Sequence, residues 1–227
     1  MAEQSKLSTL FTGIAAFAAL LVAIMVVKRE LFPTDRGGMA PENAIAEPVD
    51  NWTTLVAGGH RYGSANAKVV IVEFGDFQCP ACGRFHESLQ AVIAKYGSDV
   101  AVVFRQWPLE ELHPIAYAAA RAAECASAQA AFKPMHDELF AQQDELGGKS
   151  LVSIAADAGV SDTAKFAKCM EVQGRVDAIE RDIELARSME LRGTPTIIIN
   201  GLRYGSVPNK ERLDRLVRYH LDKLADD

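Results

Sequence analysis

The feature that most constrains this chain is a nearly continuous β-branched run, Val69–Phe74, bounded by polar and glycine residues. A strand of this kind is buried on both faces, and such strands belong to sheets that helices cover. Apolar residues then recur at helical spacing as far as Gly97, and Val100–Phe104 supplies a second buried strand. The order of strand, helix and strand predicts a βαβ unit and an α/β fold.

From about residue 113 the pattern is helical, and no strand pattern interrupts it up to residue 191. The candidate helices cover residues 114–129, 132–143, 150–158, 162–171 and 175–191. Thr196–Ile199 is again a strand, Asn200-Gly201 is a hairpin turn signal, and Arg203–Gly205 can return antiparallel. Pro208 then opens a final helix. We therefore predict one folded domain, residues 52–227, with a helical insertion at about 113–191.

Composition limits the class of protein. The 24 basic and 30 acidic residues give a formal net charge of 24 − 30 = −6, which argues against a nucleic-acid partner. Apolar residues make up 49% of the chain and charged residues 24%, values that exclude a wholly disordered chain. The four cysteines are too few for a disulfide scaffold but enough for a reactive site.

The N-terminal part predicts a membrane anchor. Leu10–Val27 is a run of 18 residues without an ionisable side chain, and as a helix it would span roughly 27 Å, close to the thickness of a bilayer core. We expect one N-terminal transmembrane helix at 10–27, within a segment of residues 1–31. A cleaved signal peptide is less favoured, because the first A-x-A tripeptide after the run, Ala44-Ile45-Ala46, lies well downstream. Residues 32–51, rich in proline and glycine, are predicted to form a flexible linker.

The sequence Cys79-Pro80-Ala81-Cys82 lies where the first predicted strand leads into its helix. The C-x-x-C spacing alone is weak, since it arises by chance in roughly one such chain in twenty. Its position is more informative, because the N-terminus of a helix favours a thiolate at Cys79. Cys82, one turn into the helix, can close a disulfide with Cys79 or resolve a mixed one. The pattern therefore predicts a redox-active cysteine pair.

Two other interpretations of this cysteine pair are weaker. Cys79, Cys82 and His86 have C-x-x-C-x-x-x-H spacing, but a closed zinc site needs four ligands, and the chain has no second C-x-x-C motif. A purely structural disulfide would close too short a loop to remove much chain entropy. We accordingly expect neither a metal ion nor an organic cofactor.

Glu73 is the one ionisable residue in the first strand, on the same face as Val69 and Ile71. Burying a lone carboxylate is costly, so its pKa should rise unless the side chain reaches solvent at the strand end.

Three histidines and one tryptophan near these motifs are assigned no role. His86, His113 and His136 are interpreted as helix-surface or capping residues, and Trp107 as part of the core.

Two separated motifs resemble the DsbA-like branch of the thioredoxin superfamily. They are residues 70–82, VIVEFGDFQCPAC, and residues 193–196, GTPT, and the resemblance covers roughly residues 60 to 224. It implies a thioredoxin-like fold split by a helical insertion. It also implies a cis peptide bond before Pro195, in a loop against the cysteines, with the Thr194 backbone binding a substrate strand. Glu73 matches the family's acidic position, which assists proton transfer to or from Cys82.

The remaining cysteines, Cys125 and Cys169, lie on apolar helical stripes that should face one small core. Free buried cysteines would fit this pattern equally well. An oxidising compartment, the even number of cysteines and a similar pairing in some relatives favour a structural disulfide between them.

The resemblance implies a thiol–disulfide oxidoreductase, and we expect it to oxidise thiols of exported proteins to disulfides. Two alternatives stay open. One is an isomerase or reductase of the same fold, since Thr194 before Pro195 occurs in family members of both kinds. The other is a metal-binding assembly factor that uses Cys79 and Cys82 as ligands.

The chemistry also predicts where the protein works. A disulfide oxidant in the cytosol would be kept reduced, so the folded domain should lie on the periplasmic or outer side of the membrane. The basic residues beside the apolar run weakly favour the opposite orientation. We expect a monomer whose partners are exported proteins with free thiols and, by the resemblance, a membrane quinone-linked oxidase that reoxidises it.

Overall fold

The computed structural model describes residues 46–226. The predicted membrane anchor at 10–27 and the part of the predicted linker at 32–45 lie outside these residues. None of the helices within the described range is long and apolar enough to cross a bilayer.

The strands are β1 (Ala46–Pro48), β2 (His60–Gly63), β3 (Val69–Gly75), β4 (Val100–Gln106), β5 (Thr196–Ile199) and β6 (Leu202–Tyr204). The helices are α1 (Pro80–Tyr96), α2 (Ala116–Ser127), α3 (Phe132–Ala141), α4 (Leu151–Asp157), α5 (Thr163–Glu171), α6 (Asp177–Ser188) and α7 (Lys210–Asp226). Short 3₁₀ turns lie at Trp52–Leu55, Gly97–Asp99 and Gln143–Glu145. The predicted βαβ unit is confirmed as β3, α1 and β4, and the insertion as α2 to α6.

The six strands form one sheet in the order β1-β6-β5-β3-β4-β2. Only β3 and β4 are parallel, and the other pairs are antiparallel. The predicted hairpin joins β5 to β6 through Asn200 and Gly201, which have φ values of 43° and 84°. Two consecutive left-handed residues match the tight turn that suits the twist of paired strands. All residues of the central strand β3 are buried, as its β-branched run predicts.

The first strand corrects the predicted boundary of the linker. The linker was expected to extend over residues 32–51, but Ala46 pairs with Tyr204 and Pro48 with Leu202 at the edge of the sheet. A proline is tolerated there because an edge strand leaves one side of its backbone unpaired. Such a short strand has no periodicity of its own, so its structure comes from the partner strand.

Helices cover both faces of the sheet. On one face α1 and α7 pack on β3, and this core includes Ile71, Leu89 and Leu216. On the other face α6 packs through Ile183 against a core that includes Val72. Helix α1 follows the C-terminal end of β3, so its first turn lies at the end of the sheet.

A buried ion pair joins α6 to the sheet. Arg105 on β4 donates from Nη1 to Asp182 Oδ1 at 2.6 Å, and its Nε donates to the Leu55 carbonyl at 3.0 Å. The other carboxylate oxygen of Asp182 accepts the Gln106 N–H at 2.8 Å. Because both charges are paired and hydrogen-bonded, the usual cost of burying them is offset.

The insertion packs around a core that it shares with Phe77 and Cys82, and a disulfide lies beside this core. Cys125 on α2 and Cys169 on α5 are bonded, with their Cα atoms 5.8 Å apart. Around Cys125 the core consists of alanines of α2 with Met135, Leu139, Ile154 and Phe166, all fully buried. The predicted structural disulfide between Cys125 and Cys169 is therefore present in the structure.

Replacing both cysteines, in the variant Cys125→Ala/Cys169→Ala, should destabilise the oxidised protein. The bridge closes a sequence separation of 44 residues. On the chain-entropy model its loss should lower the free energy of unfolding by up to about 4 kcal/mol. Urea unfolding without reductant measures this difference. Unchanged stability, or free thiols at both positions in mass mapping of the oxidised protein, would refute the prediction.

Candidate active site

The site begins at the turn that joins β3 to α1. Cys79 is the residue that precedes the first turn of α1, with an extended backbone, and Pro80 occupies the first helical position. The Cys79 N–H donates to the Asp76 carbonyl at 3.1 Å. The Asp76 carboxylate, itself buried, accepts the Gln78 N–H at 2.8 Å. This turn fixes the direction in which Cys79 enters the helix.

Asp76 also holds the loop that leads from the sheet into the insertion. Its second carboxylate oxygen accepts the Leu109 N–H at 2.9 Å and lies 2.8 Å from Nδ1 of His113. Sequence reasoning did not assign Asp76 a role, although an aspartate two residues before a turn N–H is a recognisable signal for this bond. Of the three histidines, His113 comes closest to the expected capping role.

Cys79 and Cys82 are adjacent, as the motif predicts. Cys82 and Gly83 donate their backbone N–H groups to the Cys79 carbonyl at 3.0 and 3.2 Å. Both cysteines are free thiols. Cys79 retains a 7% exposed surface, whereas Cys82 is completely buried. A substrate can therefore approach Cys79 and not Cys82.

The two thiols differ strongly in acidity. A hydrogen bond from the Cys82 thiol is the largest cause that lowers the pKa of Cys79 to about 5, against the effect of burial. The side chain of Thr194 and the backbone N–H groups of residues 81 and 82 act on this pKa in the same direction. Burial raises the pKa of Cys82 well above its ordinary value, and its hydrogen bond to Cys79 adds to the rise. At neutral pH, Cys79 is the thiolate and Cys82 keeps its proton.

Glu73 lies beneath this pair on β3. Its side chain is fully buried, and neither carboxylate oxygen has a hydrogen-bond partner within the described residues. Burial raises the pKa of Glu73 to about 8, and the charge of Cys79 contributes. The alternative in which the side chain reaches solvent at the strand end is therefore wrong. Gly75 makes room for this arrangement, since a Cβ there would lie 2.4 Å from the Phe104 ring and 3.1 Å from Glu73 Oε1.

The loop before β5 completes the site from the other side. The Thr194–Pro195 peptide bond is cis. The carbonyl oxygen of Thr194 lies 3.4 Å from Cys79 Sγ, which donates to it as a thiol. The tertiary structure thus brings the segment that holds Glu73, Cys79 and Cys82 together with Thr194 and Pro195, which lie more than a hundred residues further along the chain.

Two of the three histidine interpretations are wrong. His86 and His136 were expected at helix surfaces, but they are 9% and 0% exposed and lie between α1 and α3. Their ring centroids are 5.2 Å apart. The helical insertion covers this face of α1, a contact that helical periodicity cannot reveal. Trp107 is part of the core, as expected.

Comparisons with known proteins agree with this geometry. A thioredoxin family model matches residues 56–218. This chain belongs to the thioredoxin family. This match, together with the solved structures described next, confirms the DsbA-like resemblance inferred from the two motifs and the class of thiol–disulfide oxidoreductase.

Among solved structures, DsbA2 of Pseudomonas aeruginosa is similar, with 28% identity and a TM-score of 0.58, covering 74% of this chain and 94% of that one. Oxidised BdbD of Bacillus subtilis shares the fold at 21% identity and a TM-score of 0.66, covering 78% of this chain and 98% of that one. A curated relative, Na(+)/H(+) antiporter NhaA 1 of Mycolicibacterium gilvum, is 34% identical over 204 residues, which are 89% of this chain and 31% of the relative. The chain thus spans about a third of the length of that relative.

The alkylation rate of the reduced protein should show which cysteine is the thiolate. We expect Cys79 to react with a titration midpoint near pH 5, rather than the about 8.5 of a free thiol. Replacing Cys82 by alanine removes the hydrogen bond to Cys79 and should raise this midpoint. The matched variant Cys82→Ser keeps a donor and should raise it less. A midpoint near 8.5, or faster alkylation of Cys82, would contradict the assignment.

The raised pKa of Glu73 predicts a pH-dependent stability. The buried carboxyl holds its proton in the folded state up to about pH 8 but loses it at about 4.5 when unfolded, so the protein loses stability as pH rises through this window. Glu73→Gln cannot titrate. In the oxidised protein its advantage in free energy of unfolding should therefore grow with pH, by up to about 1.4 kcal/mol per unit.

Urea unfolding of the oxidised protein at pH 5, 6.5 and 8 measures this advantage, because the disulfide keeps both cysteines from titrating. Glu87, an exposed residue on α1, provides the control. The free energy of unfolding of Glu87→Gln, relative to the parent protein, should not grow with pH in this way. An advantage of Glu73→Gln that stays constant with pH would show that the Glu73 carboxyl ionises normally.

Proposed function

We propose that this protein is a membrane-anchored thiol oxidase of the cell envelope, which converts thiols of exported proteins to disulfides at Cys79 and Cys82. A substrate thiolate attacks Cys79 Sγ in the oxidised protein, the Cys79–Cys82 bond breaks, and a mixed disulfide forms at Cys79. Cys82 leaves as a thiolate, and the nearby Glu73 carboxyl, which is not hydrogen-bonded to it in this structure, is the group that supplies its proton. A second substrate thiolate then attacks the substrate sulfur and releases Cys79 as a thiolate. The substrate loses two electrons, and the protein is left as a dithiol.

The acidity of Cys79 is the observation that supports the oxidising direction. Groups that stabilise the Cys79 thiolate are satisfied only in the reduced protein, because a disulfide carries no charge. The reduced form is therefore favoured, and the disulfide readily accepts electrons. The largest of these contributions is the hydrogen bond from Cys82, and it exists only after the disulfide has opened.

The buried proton of Glu73 supports the second half of the reaction. Cys82 is fully buried, so water reaches it poorly when it leaves as a thiolate. A neighbouring carboxyl with a pKa of about 8 carries a proton at neutral pH and can deliver it. Returning that proton to Glu73 assists reoxidation, when Cys82 must become a thiolate again.

The loop at Thr194 and Pro195 supports a peptide substrate. The carbonyl oxygen of Thr194, in the loop that carries the cis bond, lies 3.4 Å from Cys79 Sγ. An extended peptide that crosses Cys79 would find backbone groups to pair with along this loop. Such pairing is independent of side chains and suits an enzyme with many protein substrates.

Three observations support an envelope location. The apolar run Leu10–Val27 is long enough to anchor the chain in a membrane. The disulfide between Cys125 and Cys169 is of a kind that persists in oxidising compartments. The curated relatives that match 89% of this chain are named as Na(+)/H(+) antiporters, which work in membranes. We propose that the protein acts as a monomer, without an organic cofactor, and that a membrane oxidase returns it to the disulfide form.

The reduction potential of the Cys79–Cys82 pair tests this function. Equilibration of the full chain with glutathione should give a value less negative than about −200 mV, because the reduced form is stabilised. The variant Cys125→Ala/Cys169→Ala, measured alongside, ensures that the value belongs to the active-site pair. A potential near that of thioredoxin, about −270 mV, would contradict the oxidase proposal and favour the reductase alternative.

A further inference from the structure

A cluster of two histidines and one aspartate lies between the active-site helix and the insertion, one turn beyond Cys82. It consists of His86 on α1 with His136 and Asp137 on α3, and we call it the His-Asp cluster. Nδ1 of His136 lies 3.1 Å from Asp137 Oδ1, and Nε2 of His86 lies 3.8 Å from the same oxygen. One potential ligand atom from each of the three residues falls within 4.8 Å of the others.

The fold alone does not account for two buried imidazoles at this place. His136 is fully buried and His86 is 9% exposed. Nδ1 of His86 and Nε2 of His136 are buried without a hydrogen-bond partner among the described residues. The other nitrogen of each ring, Nε2 of His86 and Nδ1 of His136, is the one that lies near Asp137 and could bind an ion. An unpartnered buried polar atom is costly, and an apolar side chain would pack between α1 and α3 without that cost. The exchange reaction at Cys79 and Cys82 does not use either ring.

From these positions we propose that His86, His136 and Asp137 bind one divalent transition-metal ion of the zinc type. Two imidazoles and a carboxylate are a ligand set that zinc accepts, and imidazole also suits copper and nickel. Ligand atoms about 2.1 Å from a tetrahedral ion lie about 3.4 Å apart. The 3.1 and 3.8 Å separations at Asp137 Oδ1 bracket this value.

A fourth donor is available beside the cluster. The side-chain amide nitrogen of Gln90, one turn after His86, lies 3.4 Å from His86 Nε2 and 3.3 Å from Asp137 Oδ1. A half-turn of this amide would present its oxygen in the same place. A groove of about 680 Å³, lined by His86 and Gln90 among others, gives an ion access from solvent.

The charges around the cluster are compatible with a cation. Lys133 forms an ion pair with Oδ2 of Asp137, so Oδ1, the oxygen nearest both imidazoles, is left for the metal. Imidazole binds a metal ion through the lone pair of its neutral ring.

Metal titration of the full chain tests the proposal. The protein is purified without a polyhistidine tag, and the variant Cys79→Ser/Cys82→Ser is used so that no thiolate can bind the ion. We expect one Zn²⁺ per chain by calorimetry, and with Co²⁺ a d–d spectrum without a thiolate charge-transfer band. His86→Gln and the partly exposed Asp137→Asn should each weaken binding about 10-fold or more. His220→Gln, which alters a buried histidine on α7, should leave the affinity unchanged.

Two results would overturn the proposal: no stoichiometric binding by the Cys79→Ser/Cys82→Ser variant, or binding that survives both His86→Gln and Asp137→Asn. Binding that appears only when Cys79 and Cys82 are present would instead assign the ion to the cysteine pair. Circular dichroism of each variant verifies folding, and Asp137→Asn keeps the test valid if a histidine variant misfolds. The proposal is independent of the proposed oxidase function, because the variant that carries the test cannot exchange disulfides.

Discussion

The hydrogen bonds of Asp76 hold together the parts on which the rest of the site depends. The carboxylate of this buried residue accepts from the Gln78 and Leu109 N–H groups and lies against His113, while its carbonyl accepts from Cys79. Asp76, through its side chain and its backbone carbonyl, thus fixes the start of α1 and also the loop that leads into the insertion. Because the thiolate needs the N-terminus of α1, its acidity depends on this turn as well as on the cysteine motif.

The site holds two nearby acidic groups, Cys79 and Glu73, whose pKa values are shifted in opposite directions. Hydrogen bonds lower the pKa of Cys79 to about 5, whereas burial raises that of Glu73 to about 8. Burial opposes ionisation at both residues, but only Cys79 has donors that overcome it, since Glu73 is left without a partner in the described part of the chain. At neutral pH the surface sulfur is therefore charged and the buried carboxyl is not, which is the arrangement that thiol exchange requires.

The insertion and the active site share one core. Phe77 and Cys82 pack in the same buried cluster as Met135, Leu139 and the alanines of α2. This shared packing also brings α3 against α1, where it buries His86 and His136. A displacement of the insertion would therefore alter the packing around both Cys82, the resolving cysteine, and the His-Asp cluster. The disulfide between Cys125 and Cys169 joins α2 to α5 within the insertion.

The sequence by itself determined four of the six described strands, the helices and the chemistry of Cys79 and Cys82, because periodicity and position at a helix start are local properties. It also isolated Glu73 as the lone charge in a buried strand. It did not reveal the short edge strands β1 and β2, which pair with β6 and β4, or the burial of His86 and His136. The Thr194–Pro195 bond and the place of Asp76 followed from tertiary structure or from family resemblance. These features depend on segments distant in the chain, and a local pattern cannot encode which surface will cover a given side chain.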